Sequence, residues 1–393
     1  MNESGSELIS SVSTLSNGLE ISWMNGDRSF FHHVWLRDCC YCDECGDCHS
    51  SLRRYVPGLE SLSIRPQSVK WDGSRLTVEW KPDAHRSEFS GEWLYTFRYD
   101  DKARAVRRPD STFWDALLSL DDVTFDYALV SRDDQIRLKL HQCLISHGFV
   151  IVQNGPSSAD GVLSFAELVG EVEQSAYGAV FDLTPGNAVG TAGTTLRAVP
   201  PHSDEAFAFN PPGIETLACV QPADEGGDSI LVDGFRIAQK LRGDSPTGFD
   251  LLAKWNHHYV RRHGDTLDQR AHMPVIALDD DGEISGIRLH TRASAPLDLP
   301  EHVMENYLHA YHRLCAMMMA PENQIKVRLD SGDAIIFDNH RALHSRTEFS
   351  DRRRFLQICS VPREKFHQEY RLLAARLGHT AAANSVLRAG ACR

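Results

Sequence analysis

The segment Pro200-Pro201-His202-Ser203-Asp204 places an imidazole two residues before a carboxylate. A distant histidine, His344, ends the segment Asp338-Asn339-His340-Arg341-Ala342-Leu343-His344. Two imidazoles and one carboxylate on one face of a metal suit Fe(II) and leave three cis positions open for a co-substrate and O2. A His-x-Asp pair alone is a weak signal, so the prediction depends on the second histidine. We predict that His202, Asp204 and His344 bind Fe(II).

Strand-like segments flank the distal histidine. Ala334-Ile335-Ile336-Phe337 has the pattern of a buried strand, and the turn Ser331-Gly332-Asp333 precedes it. Arg354 begins a second strand-like run, Arg354-Phe355-Leu356-Gln357, downstream of His344. In a jelly-roll barrel, neighbouring strands place such an arginine beside the metal, where its guanidinium binds a carboxylate more rigidly than a lysine does.

The composition limits the possible partners. The chain has 393 residues, enough for two domains or one large domain. Its formal net charge is 41 − 54 = −13, which argues against nucleic acid as a partner. No apolar run approaches the roughly 20 residues that cross a membrane, and MNESGSELIS lacks the basic and apolar regions of a signal peptide. Five of the 10 cysteines lie between Cys39 and Cys48 and the rest are scattered, which is typical of metal binding in a reducing compartment, so we expect a cytoplasmic protein.

Residues 1–100 are predicted to form a small β-rich domain around these cysteines. Val69-Lys70-Trp71 and Leu76-Thr77-Val78-Glu79-Trp80 are strand-like, and Asp72-Gly73 between them is a strong hairpin signal. The hairpin returns the chain toward its beginning and carries His85 just past its second strand. Zinc takes four such ligands tetrahedrally, with no open position at a structural site. The spacing favours Cys40, Cys42, Cys45 and His85, and it leaves Cys39, Cys48 and His49 as rival ligands.

A family resemblance is carried by the first part of this domain. The stretch Val34-Trp35-Leu36-Arg37-Asp38-Cys39-Cys40-Tyr41-Cys42-Asp43-Glu44-Cys45 resembles the Trp-Leu-Arg-Asp-x-Cys-x-Cys-x-x-Cys signature of the γ-butyrobetaine and trimethyllysine dioxygenases. The resemblance extends through the His-x-Asp and distal-histidine regions over nearly the whole chain. It implies a mainly β fold with flanking helices (α+β), in which a double-stranded β-helix, or jelly roll, occupies residues 101–393. It also implies zinc bound by Cys40, Cys42, Cys45 and His85.

The resemblance implies an Fe(II)- and 2-oxoglutarate-dependent dioxygenase. In such an enzyme the iron binds the keto-acid end of 2-oxoglutarate, and Arg354 pairs with its distal carboxylate. Arg352 and Arg353 are neighbouring alternatives, but the register of Arg354 with the following Leu356-Gln357 favours Arg354. Thr216 is a second candidate for contact with the distal end of 2-oxoglutarate. Asp204 favours oxygenation, because related halogenases lack this carboxylate.

Two regions match the places where the resembled enzymes contact their substrate. Aromatic side chains there hold a trimethylammonium group by cation–π attraction, and Gly190 stands where γ-butyrobetaine enzymes place one cage tyrosine. In the region that contacts the anionic end of the substrate, Arg288 and Arg292 would share one face of an extended strand because they are four residues apart. Core packing and surface ion pairing are the alternatives for these residues. The predicted substrate contacts are Tyr177, Phe181, Asn187, Arg288, His290, Thr291 and Arg292.

We therefore predict a hydroxylase that acts with O2 on an aliphatic carbon of a small zwitterionic quaternary-ammonium metabolite resembling γ-butyrobetaine. The alternative in the same reaction class is a hydroxylase of 2-(trimethylamino)ethylphosphonate or another amino acid-like molecule. Two other classes stay open: a zinc hydrolase that uses His-x-Asp, and a non-catalytic barrel whose cysteine cluster recruits a partner. The family counterpart of the C-terminal helix predicted from Phe366 to Leu377 suggests a homodimer.

Overall fold

The computed structural model describes residues 8–47, 50–54, 56, 61–107, 111–175, 178–186 and 192–379. These residues form two compact units. The first ends at Arg107, and the second begins at Ser111.

The first unit contains two small antiparallel sheets, with strand orders β1-β2-β3 and β6-β7-β8, and a short hairpin of β4 and β5. Its strands are β1 Ile9–Thr14, β2 Gly18–Trp23, β3 Arg28–His32, β4 Gly46–Asp47, β5 Leu52–Arg53, β6 Pro66–Trp71, β7 Arg75–Trp80 and β8 Arg86–Ser90. Its helices are α1 His33–Asp38, α2 Gly91–Phe97 and α3 Asp101–Val106.

The predicted hairpin at Asp72-Gly73 is confirmed as the connection between β6 and β7, with Trp71 opposite Leu76. Gly73 has a φ of +99°, a left-handed backbone conformation that side chains other than that of glycine rarely adopt. The Asp72 carboxylate accepts hydrogen bonds from the backbone N–H groups of Arg75 and Ser74, which lower its pKa to about 2. Every second side chain of β7 is buried, and Trp80 lies in the core of this unit.

The second unit contains most of the chain. Its strands are β9 Thr124–Asp126, β10 Phe149–Gln153, β11 Phe181–Leu183, β12 Val199–His202, β13 Ile214–Gln221, β14 Ser229–Asp233, β15 Asn256–His263, β16 Leu267–Pro274, β17 Ile276–Leu278, β18 Ile284–Ile287, β19 Gln324–Val327, β20 Ala334–Asp338, β21 Ala342–Arg346 and β22 Phe355–Val361. Its helices are α4 Tyr127–Arg132, α5 Asp134–His147, α6 Gly161–Ala166, α7 Gly234–Asp244, α8 Pro246–Lys254, α9 Glu301–Met319 and α10 Arg363–Arg376.

Two facing sheets form the centre of this unit. One has the order β11-β22-β13-β20-β10-β9 and the other the order β12-β21-β14-β19, so strands distant in sequence lie side by side. Apolar side chains from both sheets pack between them, among them Leu217 and Phe337 from the first and Leu231 and Ala342 from the second. The predicted mainly β jelly-roll fold with flanking helices is confirmed.

Helices cover the outer faces of both sheets. Ile335 and Phe337 of β20 point into the space between the sheets, whereas Ile336 packs against the cluster that includes residues of α5 and α6. The predicted buried strand at 334–337 is therefore confirmed, and its uninterrupted apolar sequence reflects burial on both faces. Helices α7, α8 and α9 pack against the opposite sheet through Val232 and Leu343.

A buried ion pair holds the corner between β20 and β21. The Arg341 guanidinium donates to both carboxylate oxygens of Asp233, at 3.1 Å from Nε and 3.0 Å from Nη2. The side chains of the two residues are only 3% and 0% exposed. Arg341 also donates to the carbonyls of Ser146 and Thr112, and Asp233 caps α7 by accepting from the N–H of Phe235. One guanidinium thus connects four segments of the chain at the start of β21.

Replacing Arg341 by methionine is expected to lower the free energy of unfolding by about 3–5 kcal/mol, because Asp233 is left buried without its counter-charge. Equilibrium unfolding in urea measures this change. Arg353→Met is the matched control: Arg353 pairs with Asp351 and Asp224 at the surface, so its loss is expected to cost less than about 1 kcal/mol. Equal losses in the two variants would contradict the role given to the buried pair.

Candidate active site

Pairing between two strands brings the predicted iron ligands together. β12 runs antiparallel to β21 and sets His202 directly opposite His344, with ring centroids 4.3 Å apart. Asp204 follows β12, and its Oδ1 lies 3.2 Å from His202 Nε2 while its Oδ2 lies 3.4 Å from His344 Nε2. All three ligand atoms lie within 4.8 Å of one another.

The protonation of this cluster suits a divalent metal. His202 donates from Nδ1 to the carbonyl of Pro200 at 3.0 Å, which leaves the Nε2 lone pair directed toward Asp204. Burial lowers the pKa of His202, so its ring is neutral at neutral pH. Burial alone would raise the pKa of Asp204, but the neighbouring imidazoles of His344 and His202 outweigh burial and hold the pKa well below its usual value.

The spacing of these donors also fits a metal. Ligand atoms at right angles around a metal with bonds of about 2.1 Å lie about 3 Å apart. The two His–Asp separations, 3.2 and 3.4 Å, approach this value. Two imidazoles and one carboxylate form the donor set of Fe(II) sites that keep open positions. The residues therefore fit the predicted iron.

Asn339 fixes the backbone that carries Asp204. Its side-chain oxygen accepts from the Asp204 N–H at 2.7 Å, and its Nδ2 donates to the carbonyls of Asp204 and Pro212 at 3.1 and 3.0 Å. Asn339 is 1% exposed, so these bonds are shielded from water. This role was not predicted from the sequence, although a polar side chain directly after the buried strand β20 is a signal for it.

The triad opens into a cavity of about 310 Å³ that side chains from both sheets enclose. The apolar part of the cavity lining includes Leu217, Ile358 and Leu183. Charged groups stand around the same space. The charged and titratable residues of the lining, besides the triad, are Glu205, Glu215, Arg261, Arg262, His290, Arg292, Arg346, Arg354 and Cys359.

Arg354 lies in this lining immediately before β22. It is 4% exposed, its Nη2 donates to the carbonyl of Gly227 at 3.2 Å, and its guanidinium lies 4.9 Å from the ring centre of Phe349. Among the described residues, no carboxylate forms an ion pair with it. Burial lowers its pKa to about 10, so it remains charged at neutral pH. A buried cation of this kind can bind an anion that enters the cavity.

A second buried arginine, Arg346, stands beside it. Its guanidinium donates to the carbonyls of Gly193 and Thr195, both at 2.8 Å, and lies 4.7 Å from the ring centre of Phe349. Burial, followed by the charge of Arg354, lowers its pKa to about 10. Arg346 therefore holds the 193–195 loop against the cavity while adding positive charge near Arg354. Arg346 was not among the residues predicted from the sequence.

The structure separates the predicted substrate residues into two groups. Phe181, His290 and Arg292 line the cavity. His290 donates from Nδ1 to the carbonyl of Ser203 at 2.9 Å, and burial lowers its pKa to about 3. Arg292 is exposed at the mouth of the cavity. Tyr177 and Asn187 lie outside the described residues.

The predicted pairing of Arg288 with Arg292 on one strand face is wrong. β18 ends at Ile287, and Thr291–Ala293 is a 3-10 turn, so the segment is not extended throughout. Arg288 instead donates to the carbonyls of Ala206 and Ala208, at 3.4 and 3.0 Å, and holds the loop that follows Asp204. Neither Arg288 nor Thr291 belongs to the cavity lining.

Thr216, predicted to contact 2-oxoglutarate, does not line the cavity. Thr216 is fully buried in β13, between Glu215 and Leu217, which both face the cavity. Side chains alternate along a strand, so Thr216 points to the opposite face, where Ile214 and Ala218 pack in the outer core.

Glu215 is a cavity residue that the sequence analysis missed. It is 3% exposed, and its Oε1 accepts from the Ser360 hydroxyl at 3.4 Å. Its carboxyl group also lies within hydrogen-bonding distance of the Asp204 carboxylate, which a protonated Glu215 can satisfy. Burial and the nearby carboxylates of Asp204 and Glu205 raise the pKa of Glu215 well above its usual value. The signal in the sequence was a single acid within the apolar run Ile214–Val220.

The first unit contains a second group of metal-ligand type. Cys40, Cys42, Cys45 and His85 offer ligand atoms that all lie within 4.8 Å of one another. His85 Nε2 is 3.5, 3.7 and 3.4 Å from the sulfurs of Cys40, Cys42 and Cys45. Zinc bonds of about 2.3 Å to sulfur and 2.0–2.1 Å to nitrogen, arranged tetrahedrally, separate the two atom types by about 3.6 Å. The four residues therefore fit zinc.

Surrounding residues support this group. Arg37 donates from Nη1 to the sulfur of Cys45 at 3.3 Å, and His85 Nδ1 lies 3.5 Å from a Glu44 carboxylate oxygen. Burial raises the pKa of the Cys45 thiol to about 12, so the thiolate form depends on a nearby cation. Cys39 is not part of the group. Cys48 and His49, the other rival ligands, lie outside the described residues.

A membrane-crossing helix is not found in the part of the chain that the structure describes, since every helix there is too short or too polar.

Each of the two units matches a known protein family. Residues 112–359 match the family described as taurine catabolism dioxygenase TauD, TfdA family, and residues 11–95 match the family described as γ-butyrobetaine hydroxylase-like, N-terminal. The chain is 31% identical to γ-butyrobetaine dioxygenase of Pseudomonas sp. (strain AK-1) over 91% of this chain and 94% of that protein. It is 26% identical to human γ-butyrobetaine dioxygenase, over 84% and 87% of the two chains. It is 28% identical to the mitochondrial trimethyllysine dioxygenase of Gallus gallus, over 87% and 83%.

Proposed function

The chain belongs to the TauD/TfdA dioxygenase family and is a 2-oxoglutarate-dependent dioxygenase, and we propose that it hydroxylates an aliphatic carbon of a small zwitterionic quaternary-ammonium metabolite resembling γ-butyrobetaine. The family resemblance inferred from the sequence is thereby confirmed. The observation that carries the proposal is the His202–Asp204–His344 cluster, which opens into a cavity with cationic and anionic walls.

In this proposal His202, Asp204 and His344 hold Fe(II). The bound iron supplies the oxidative decarboxylation of 2-oxoglutarate by O2, which yields succinate, CO2 and one oxygen atom that is inserted into a C–H bond of the substrate. Asn339 keeps the Asp204 backbone in place, and the His202–Pro200 hydrogen bond keeps that imidazole in the tautomer that binds metal through Nε2.

Arg354 binds the distal carboxylate of 2-oxoglutarate. Its guanidinium is buried in the cavity lining, and its planar donors match a carboxylate. The charge of Arg346 strengthens the same anion-binding end. Leu217 and Ile358 line the cavity between this end and Glu215, and they exclude water from the path that the co-substrate occupies.

The remaining walls suit a zwitterion. Phe181 offers an aromatic face to the cationic end, as cation–π attraction requires. Arg292 and Arg261 face the cavity at its mouth, and neither forms an ion pair with a carboxylate among the described residues. Two guanidiniums can bind a carboxylate or a doubly charged phosphonate, which supports 2-(trimethylamino)ethylphosphonate as the second candidate substrate.

For the first unit we propose a structural Zn(II) bound by Cys40, Cys42, Cys45 and His85. Four protein ligands fill a tetrahedral site and leave no position for a substrate. The four residues come from the loop after α1 and the β7–β8 turn, so one metal ties these two segments together.

Protein loaded with Fe(II) is expected to release succinate from 2-oxoglutarate only when O2 and a suitable zwitterion are present. A panel of γ-butyrobetaine, 2-(trimethylamino)ethylphosphonate, betaines and amino acids identifies that zwitterion, and mass spectrometry detects a product heavier by one oxygen. Product formation without O2 and 2-oxoglutarate would point to the hydrolase class. Failure of every compound to stimulate succinate release would reject the proposed substrate class.

Arg354→Ala is expected to raise KM for 2-oxoglutarate about 10- to 100-fold, because a charge-assisted contact to its carboxylate is lost. KM for the organic substrate should change little. Arg353→Ala is the matched control, since its guanidinium lies at the surface with Asp351 and Asp224. An unchanged dependence on 2-oxoglutarate in the Arg354 variant would reject the assigned contact.

Metal analysis is expected to find about one zinc per chain, and Cys42→Ser should lose most of it while retaining iron. His344→Ala should show the converse, with zinc retained and iron lost. Elemental analysis of the purified variants measures both metals in one sample. Loss of both metals from either variant would show that the two sites are not the independent sites described above.

A further inference from the structure

The segment 288–290 lies alongside the His-x-Asp motif and is bonded to its central residue. Ser203, between the two predicted iron ligands of the motif, is 3% exposed. Its backbone N–H donates to the carbonyl of Leu289 at 2.9 Å, and its hydroxyl oxygen accepts from the Leu289 N–H at 3.0 Å. The carbonyl of Ser203 accepts from His290 Nδ1 at 2.9 Å. The backbone between the two ligands is therefore held by a segment that follows β18.

Arg288 extends this contact to the loop that follows the motif. Its Nη1 donates to the carbonyls of Ala206 and Ala208, at 3.4 and 3.0 Å, and its Nη2 donates to the carbonyl of Phe209 at 3.4 Å. The backbone of Arg288 is itself anchored, because its carbonyl accepts from the Tyr259 hydroxyl at 2.6 Å. Tyr259 is 1% exposed. One guanidinium thus connects the 205–209 loop to a buried tyrosine.

The loop begins with a strained residue. Glu205, the residue directly after Asp204, has a φ of +45°, a left-handed conformation that side chains with a Cβ rarely adopt. Its carbonyl accepts from the Ala208 N–H at 2.7 Å, which closes a turn. A non-glycine residue keeps such a conformation only when surrounding contacts hold it there. The three carbonyls that Arg288 binds lie in this turn and immediately after it.

We propose that Arg288 is a positioning residue for the proposed iron site: its hydrogen bonds hold the 205–209 loop in the conformation that Glu205 disfavours and so keep Asp204 directed at the metal. This inference rests on the proposed function and adds a residue to it. When the Arg288 bonds are lost, Glu205 relaxes toward a negative φ. That rotation displaces the peptide group that joins Glu205 to Asp204, and the carboxylate leaves its place between the two imidazoles.

Iron affinity measured without turnover tests this role. Calorimetry follows the titration of Fe(II) into iron-free protein with 2-oxoglutarate present and O2 absent. Arg288→Ala removes the guanidinium, whereas Arg288→Lys keeps a charged donor without the planar fork. Arg242→Ala is the matched control, because Arg242 also donates to a loop carbonyl, that of Gly282, and neither of these two residues lines the cavity.

Arg288→Ala is expected to raise Kd for Fe(II) about 10- to 100-fold, the usual effect of removing a group that supports a metal ligand. Arg288→Lys should give an intermediate Kd, and Arg242→Ala should leave Kd unchanged. An unchanged Kd in the Arg288→Ala variant would overturn the proposal. If that variant does not fold, an unchanged Kd in the Arg288→Lys variant would overturn it instead.

A comparison at residue 205 separates positioning from a general loss of stability. Glu205→Gly and Glu205→Ala remove the same carboxylate, but only glycine adopts a positive φ without strain. With Arg288 present, the two variants should bind Fe(II) with similar Kd. In the Arg288→Ala background the glycine variant should bind about 5- to 30-fold more tightly, because the loop keeps its conformation without the strain. Equal Kd values in that background would contradict the proposed role of Arg288.

Turnover separates this inference from the proposed function. If the iron affinities follow the expected order but no zwitterion of the panel is hydroxylated when O2 is admitted, the role of Arg288 stands and the proposed reaction fails. If a zwitterion is hydroxylated and Arg288→Ala leaves Kd for Fe(II) unchanged, the reaction stands and the role of Arg288 fails.

Discussion

The antiparallel pairing of β12 with β21 is the constraint on which the active site depends. It sets His202 and His344 side by side although they are far apart in sequence. Because side chains alternate along a strand, a slip of one residue would turn one imidazole to the opposite face. The register of β21 is fixed from its other edge, where β14 sets Leu231 opposite His344. Leu231 packs in the core between the sheets, so the core that stabilises the fold also fixes the face on which the ligands lie.

The corner between β20 and β21 fixes the positions of the ligands that this register brings together. Asn339 holds the backbone of Asp204, and two residues later Arg341 is bound to Asp233. A buried ion pair often contributes no more net stability than apolar groups of the same shape, whereas the loss of one partner is costly. We therefore interpret the Arg341–Asp233 pair mainly as a geometric restraint. Asp233 also ends β14 and caps α7, so the corner, the neighbouring strand and the covering helix are positioned together.

Features marked by residue types and spacing were predictable, and those that depend on where a strand ends or which way it faces were not. The cluster at His202 and the strand at 334–337 follow from residue spacing and an apolar run, and the structure brings both into place. The orientation of Arg288 could not be predicted, because it depends on β18 ending at Ile287. Thr216 and Glu215 are neighbours in one buried strand, and only the positions of both sheets reveal which of them faces the cavity. Tyr177 and Asn187 lie outside the described residues and stay predictions.

The distribution of charges in the cavity also explains how 2-oxoglutarate and the proposed substrate can occupy different ends of one cavity. 2-Oxoglutarate carries two negative charges, whereas the proposed substrate carries one charge of each sign. Arg354 and Arg346 attract an anion to one end, and at the other end Glu215 stands near the carboxylates of Asp204 and Glu205. Water is largely excluded from these walls, so charge interactions are stronger than at the surface. An exchange of places would set a cationic nitrogen against two arginines and leave the distal carboxylate of 2-oxoglutarate without a counter-charge. Both errors are unfavourable, so the same charge distribution that binds each molecule also opposes the wrong arrangement.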